Sequence, residues 1–171
     1  TPLYSSAASD VYKRQSVSYA IATLTRGTLG TGQSQSAPML VRYPDTAYFA
    51  HGNYGVHYRL TLPLANRTGT SQRVALLFQT PIKEDEPSGG LSFFEPPESR
   101  VFYRGPIRFE YLNSSGYPES RIVHVVQHRG EQGQPLLELV LPPGDRRTVK
   151  VDFIYPPDAT PPHVLTVQTQ P

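Results

Sequence analysis

The C-terminal end of the chain most constrains what it can fold into. Leu136–Leu141, Val149–Tyr155 and Val164–Val167 are short runs rich in β-branched and aromatic residues, separated by Pro142-Pro143-Gly144 and by the stretch from Pro156 to Pro162. Such intervals are too short and too rich in proline to hold a helix, because an internal proline removes a hydrogen bond and clashes with the preceding turn. Strands joined this way pair antiparallel, which is the rhythm of a β-sandwich. Successive strand residues point to opposite faces. Val149, Val151, Phe153 and Tyr155 therefore share one face, while Lys150 and Asp152 share the other.

The same alternation recurs upstream. Val56, Tyr58, Leu60, Leu62 and Leu64 stand against His57, Arg59 and Thr61, and Ile107, Phe109 and Tyr111 stand against Arg108 and Glu110. Each pattern predicts one buried and one wet face. Val74–Phe78 and, apart from His124, Ile122–Val126 are apolar on both parities, which predicts central strands covered on both faces. Turn chemistry separates them at 66–69, 113–116, 129–133 and 142–145, where Gly supplies positive φ and Asn or Asp bonds its own backbone. The expectation is an all-β, antiparallel, immunoglobulin-like sandwich of about seven to nine strands with little or no helix. Its expected core is Tyr58, Leu60, Leu62, Leu76, Phe78, Phe109, Val149, Val151 and Phe153.

Composition narrows the function classes. With 171 residues, 37% of them hydrophobic, there is apolar material for one core, and 18 prolines argue against long helices. The net charge of +2 is spread along the chain, whereas a nucleic-acid footprint needs clustered Lys and Arg. No cysteine is present, so disulfides, thiolate metal sites and a Cys nucleophile are excluded. No apolar run approaches the roughly 18 residues of a membrane helix. His124 and His128 share a strand face but lie about 13 Å apart by the strand rise, too far to bind one metal without a partner such as His57. The glycine-flanked nucleophile elbow of a serine hydrolase is missing. Glu84, Asp85, Glu86, Glu95 and Glu98 could supply an acid and base pair for glycoside hydrolysis, or calcium ligands, although EF-hand spacing is absent. Bracketed by Pro81, Pro87, Gly89 and Gly90, they also read as a solvated loop. No cofactor, metal or catalytic residue is expected.

At the N-terminus, residues 5–15 read as translated sequencing-adapter text of the kind found at the ends of metagenomic open reading frames. This predicts a non-native tail over 1–15 that packs against nothing, with a true N-terminus and any signal peptide missing. Residues 16–37 are expected to be a flexible or partial segment, and 38–171 a single sandwich domain. The runs Gly52–Val56, Gln79–Asp85, Phe102–Gly105, Pro142–Arg147 and Tyr155–Pro162 resemble a cyanobacterial family of uncharacterised proteins, a domain of unknown function, over residues 38–169. That resemblance implies a cyanobacterial origin, a C-terminal portion of longer proteins and an exported or envelope location. It carries no catalytic residue.

The functional expectation is a non-catalytic structural or interaction module, with a protein or cell-envelope component as partner and no nucleic acid. The alternatives are a carbohydrate-binding sandwich, in which exposed rings stack on sugars, and a carboxylate-dependent hydrolase. The loop from Thr80 to Arg104 interleaves rings and charges as a partner contact would, so its candidate surface is Lys83, Glu84, Asp85, Phe93, Phe94, Tyr103 and Arg104.

Overall fold

A computed structural model describes residues 3–4, 16–46 and 48–170. The strands are β1 (Leu3–Tyr4), β2 (Ser16–Ala22), β3 (Ser36–Pro38), β4 (Phe49–His51), β5 (His57–Ala65), β6 (Gln72–Gln79), β7 (Val101–Leu112), β8 (Pro118–His128), β9 (Leu137–Leu141), β10 (Arg146–Ile154) and β11 (His163–Gln170). No helix occurs among the described residues. All pairings are antiparallel, in a five-stranded sheet ordered β1-β2-β11-β6-β9, a four-stranded sheet ordered β5-β10-β7-β8 and the separate hairpin β3-β4.

The two larger sheets bury a shared core. Ile21, Val74, Leu76, Phe78, Leu137, Leu139, Leu141 and Leu165 enter it from one sheet, and Tyr103, Ile107, Phe109, Val125, Val149, Val151 and Phe153 from the other. The Phe78 ring meets Phe153 edge-on at 5.9 Å and Tyr103 at 4.5 Å, so aromatic contacts cross the interface between the sheets. Six of the nine expected core residues are fully buried. Tyr58, Leu60 and Leu62 pack against that core but stay half-buried, because β5 is an edge strand with a neighbour on one side only.

The sheets differ in how they are covered. On β6 and β11 the outward-facing Ala75, Leu77 and Val164 are as buried as the inward residues, so the centre of the five-stranded sheet is covered on both faces, while Arg73, Glu138 and Val140 on the same outer side are exposed. The four-stranded sheet keeps the inside-outside alternation expected for β5, β7 and β10, and its outer face is open. Expectation and structure part at β8. The run Ile122–Val126 lies at the edge of its sheet, with Ile122 68% exposed, because β7 is its only strand partner.

The N-terminal expectations also need correction. The segment 16–37 belongs to the domain: β2 lies between β1 and β11, and Ile21, Ala22 and Leu29 are buried. Within the expected tail, Leu3 and Tyr4 pair with Ser18 and Val17 of β2. Residues 5–15, on which the adapter reading rests, lie outside the described residues.

Candidate functional site

Of the seven residues expected to form a contact surface, Lys83, Asp85 and Arg104 are exposed, Glu84, Phe93 and Phe94 are half-buried, and Tyr103 is buried. The segment 83–85 fastens the chain around residue 29. Leu29 N–H donates to the Glu84 carbonyl and Gly30 N–H to that of Asp85, both at 2.8 Å. The Asp85 carboxylate accepts the N–H groups of Gly27 at 2.9 Å and Thr28 at 3.2 Å, which hold it below the ordinary carboxyl range, Gly27 contributing most. The Lys83 stem lies against Gly27, where a side chain's first carbon would come within 3.1 Å of it. Burial, followed by the charge of Arg129, lowers the affinity of its ammonium for its proton.

Phe94 is likewise committed to its own chain. Its N–H donates to the Gly130 carbonyl at 2.8 Å, and its ring covers Gly130 so closely that a Cβ there would fall 2.0 Å from it. Phe93 is half-buried. Tyr103 is in the core, 1% exposed, with its ring lying over Gly105, so it is withdrawn from the candidate surface. Arg104 alone of the seven reaches the outer face of the four-stranded sheet, as an exposed outward residue of β7. Among the loop carboxylates, Glu98 is bound by Arg100 at 2.9 Å and Arg129 at 2.8 Å.

The histidines are dispersed. His57 on β5 and His124 on β8 are on opposite edge strands, with β10 and β7 between them, and His128 bonds Glu131 at 2.9 Å. Among the described residues no group of three or more His, Cys, Asp or Glu is placed to hold a metal ion. His51 and His163 are buried. His51 donates from Nε2 to the Ala159 carbonyl at 2.9 Å, and His163 Nδ1 shares a 2.6 Å hydrogen bond with the Tyr155 hydroxyl. Tyr58 donates to the Ile21 carbonyl at 2.6 Å and accepts from Asn53 Nδ2 at 2.8 Å, which ties β5 to β2. Burial, then the nearby His51, depresses His163 to about 3, and burial pushes the hydroxyls of Tyr103 and Tyr155 upward. His163, Tyr103 and Tyr155 are sealed from solvent, so they are built to hold the sheets together and not to meet a substrate.

The surface that gathers charge is the outer face of the four-stranded sheet. Its outward positions carry Arg59 on β5, Arg146 and Lys150 on β10, and Arg104 and Arg108 on β7. Register aligns them in rows: Arg59, Asp152, Arg108 and Ile122 lie side by side across the sheet, and Lys150, Glu110 and Ser120 form the next row. Asp152 is the hub, with His57 at 2.9 Å, Arg59 at 3.5 Å and Arg108 at 3.6 Å. Glu110 faces Arg108 at 3.7 Å. Both carboxylates are thus engaged, while Arg104, Arg146 and Lys150 have no ion-pair partner among the described residues.

Towards the β7-β8 turn the face becomes a groove of about 440 Å³ lined by Glu110, Tyr111, Leu112, Pro118, Glu119, Ser120, Thr148 and Lys150, so this end of the face carries two carboxylates beside one cation. The sequence does contain this signal. Every one of these cations falls on the wet parity of its strand, but only the pairing register shows that they meet.

These features define a class: an antiparallel β-sandwich with one sheet covered on both sides at its centre and one open, basic sheet face. The chain belongs to the family described as Protein of unknown function (DUF3370), whose model matches residues 6–169. The match begins well upstream of residue 38, in agreement with the place of β2 inside the sheet. No curated protein and no solved structure shows a significant match to the chain.

Proposed function

We propose that this domain is a non-catalytic interaction module of an exported or envelope-associated protein, and that it works through the outer face of the four-stranded sheet by taking an acidic protein partner. One observation carries this reading: five basic side chains share that face with two carboxylates, and both carboxylates already have basic neighbours. A face with surplus cations attracts and orients an acidic partner. Arginine supplies four of the five cations and suits such a face, because its planar fork pairs with carboxylates and it is enriched at protein interfaces. Exposed Ile122, Ile154 and Leu112 lie among them, giving apolar contact that a purely ionic surface lacks.

The glycan-binding alternative has less support, because the exposed Tyr43, Tyr48, Tyr54 and Tyr117 lie in loops and turns, and no tyrosine occupies an outward strand position of this face. The hydrolase alternative loses two of its five loop carboxylates to structural duties, Asp85 to the backbone of Gly27 and Thr28, and Glu98 to Arg100 and Arg129.

Binding of poly-L-glutamate to the full chain tests the reading. Wild-type protein binds, and the triple variant Arg104→Glu, Arg146→Glu, Lys150→Glu loses at least tenfold in affinity. Equal binding by the triple variant, or stronger binding to duplex DNA than to polyglutamate, defeats it. Release of product from polysaccharide or peptidoglycan that vanishes in Glu84→Gln or Glu95→Gln establishes the hydrolase instead.

A further inference from the structure

β8 is an edge strand with the sequence of a central one. Ile122, Val123, Val125 and Val126 are apolar on both parities, yet β7 is the strand's only partner and Ile122 and Val126 are 68% and 42% exposed. Natural edge strands are blunted by shortness, by proline or charge, or by a covering loop. β8 uses none of these along its middle. It runs from Pro118 to His128, its proline is the first residue, and its formal charges, Glu119 and Arg121, are confined to one end. Among the described residues, no backbone hydrogen bond from a loop reaches residues 118–127. A conflict between local pattern and observed position is expected at functional or strained sites.

The strand is complementary to itself. When two copies of β8 lie antiparallel with His124 opposite His124, Ile122 meets Val126 on the outer face and Val123 meets Val125 on the inner one. Arg121 meets Gln127 and Glu119 meets Arg129, so no formal like charges stand opposite each other. A two-fold axis normal to the sheet and midway between the two copies of residue 124 generates this pairing, which is the isologous geometry of a closed dimer. The overlap from residue 120 to 128 extends over roughly 30 Å at the strand rise and joins the two four-stranded sheets into one.

We infer that a second copy of this chain pairs along the β8 edge, in the register centred on His124. The inference goes beyond the acidic-partner reading and does not rest on it. In such a dimer the two basic faces lie side by side on one continuous sheet.

His124 is exposed on the outer face, so its substitution tests the register without disturbing the core. At about 100 µM, well above a micromolar Kd, wild-type protein should sediment at twice the 19.0 kDa of the chain. Like charges directly opposite on adjacent strands are destabilising. His124→Lys and His124→Glu should each sediment as monomers that unfold cooperatively in urea, and an equimolar mixture of the two should recover the dimer. A monomeric wild type, or variants that dimerise singly as well as wild type, would overturn the inference. Retained polyglutamate binding by the monomeric variants would leave the acidic-partner reading standing on its own.

Discussion

Phe153 illustrates what an inward position is worth at the scale of one residue. It is 2% exposed, stacked at 5.0 Å on Tyr58 and edge-on to Phe78, so Phe153→Ala removes ring contacts to both sheets. A destabilisation of about 3–5 kcal/mol is expected in urea unfolding. Leu60 has the correct parity on a half-open strand, and Leu60→Ala should cost less, about 1–2 kcal/mol. Equal losses would mean that β5 is better covered than its edge position implies.

His163 sets a second expectation at this scale. Its folded-state value, near 3, lies below the ordinary histidine value of about 6.5, so the unfolded chain binds the extra proton across that window. The stability tied to the neutral ring is complete above pH 6.5 and is lost as pH falls through the window, by about 1.4 kcal/mol per pH unit. His51, also lowered by burial, adds in the same direction. Urea unfolding should show stability about 2 kcal/mol lower at pH 5 than at pH 6.5. A flat profile over that range would contradict a sealed, neutral His163.

At the scale of elements, the alternating strands β5, β7 and β10 were legible because each has one wet face, and their parity fixes which side chains enter the core. The doubly apolar β6 was legible as a central strand for the same reason. β8 carries an equally apolar run but is placed at the edge, since a pattern of hydrophobicity states that a strand wants cover and not what provides it. Tyr103 does not belong on a contact surface, because it shares the parity of Ile107 and Phe109 on β7, which already points it into the core. Phe94 is fastened by a turn. Gly130 has φ of 71° and lies directly beneath its ring, so Gly130→Ala combines a strained backbone with a steric clash. The expected loss is about 2 kcal/mol or more in urea unfolding, with the Phe94 ring resonances displaced. A neutral substitution would show that the loop 80–100 is not anchored at this turn.

For the whole molecule, the asymmetry between the sheets organises the account. The five-stranded sheet is covered on both faces at its centre, around β6 and β11, whereas the outer face of the other is open across β5, β10 and β7, and charge collects there. Its cations looked dispersed along the chain because they come from three strands, and the pairing register unites them. The family match over residues 6–169 takes in the sandwich from β2 into β11. Mapping backbone amide shifts of the full chain on titration with poly-L-glutamate tests the central claim most directly. The largest changes should fall on Arg59, Arg104, Arg108, Arg146 and Lys150 and weaken as salt is raised, because exposed charges are screened beyond a Debye length of about 10 Å at 0.1 M. Changes centred instead on Lys83–Phe94, with the β5, β7 and β10 amides unmoved, would contradict it.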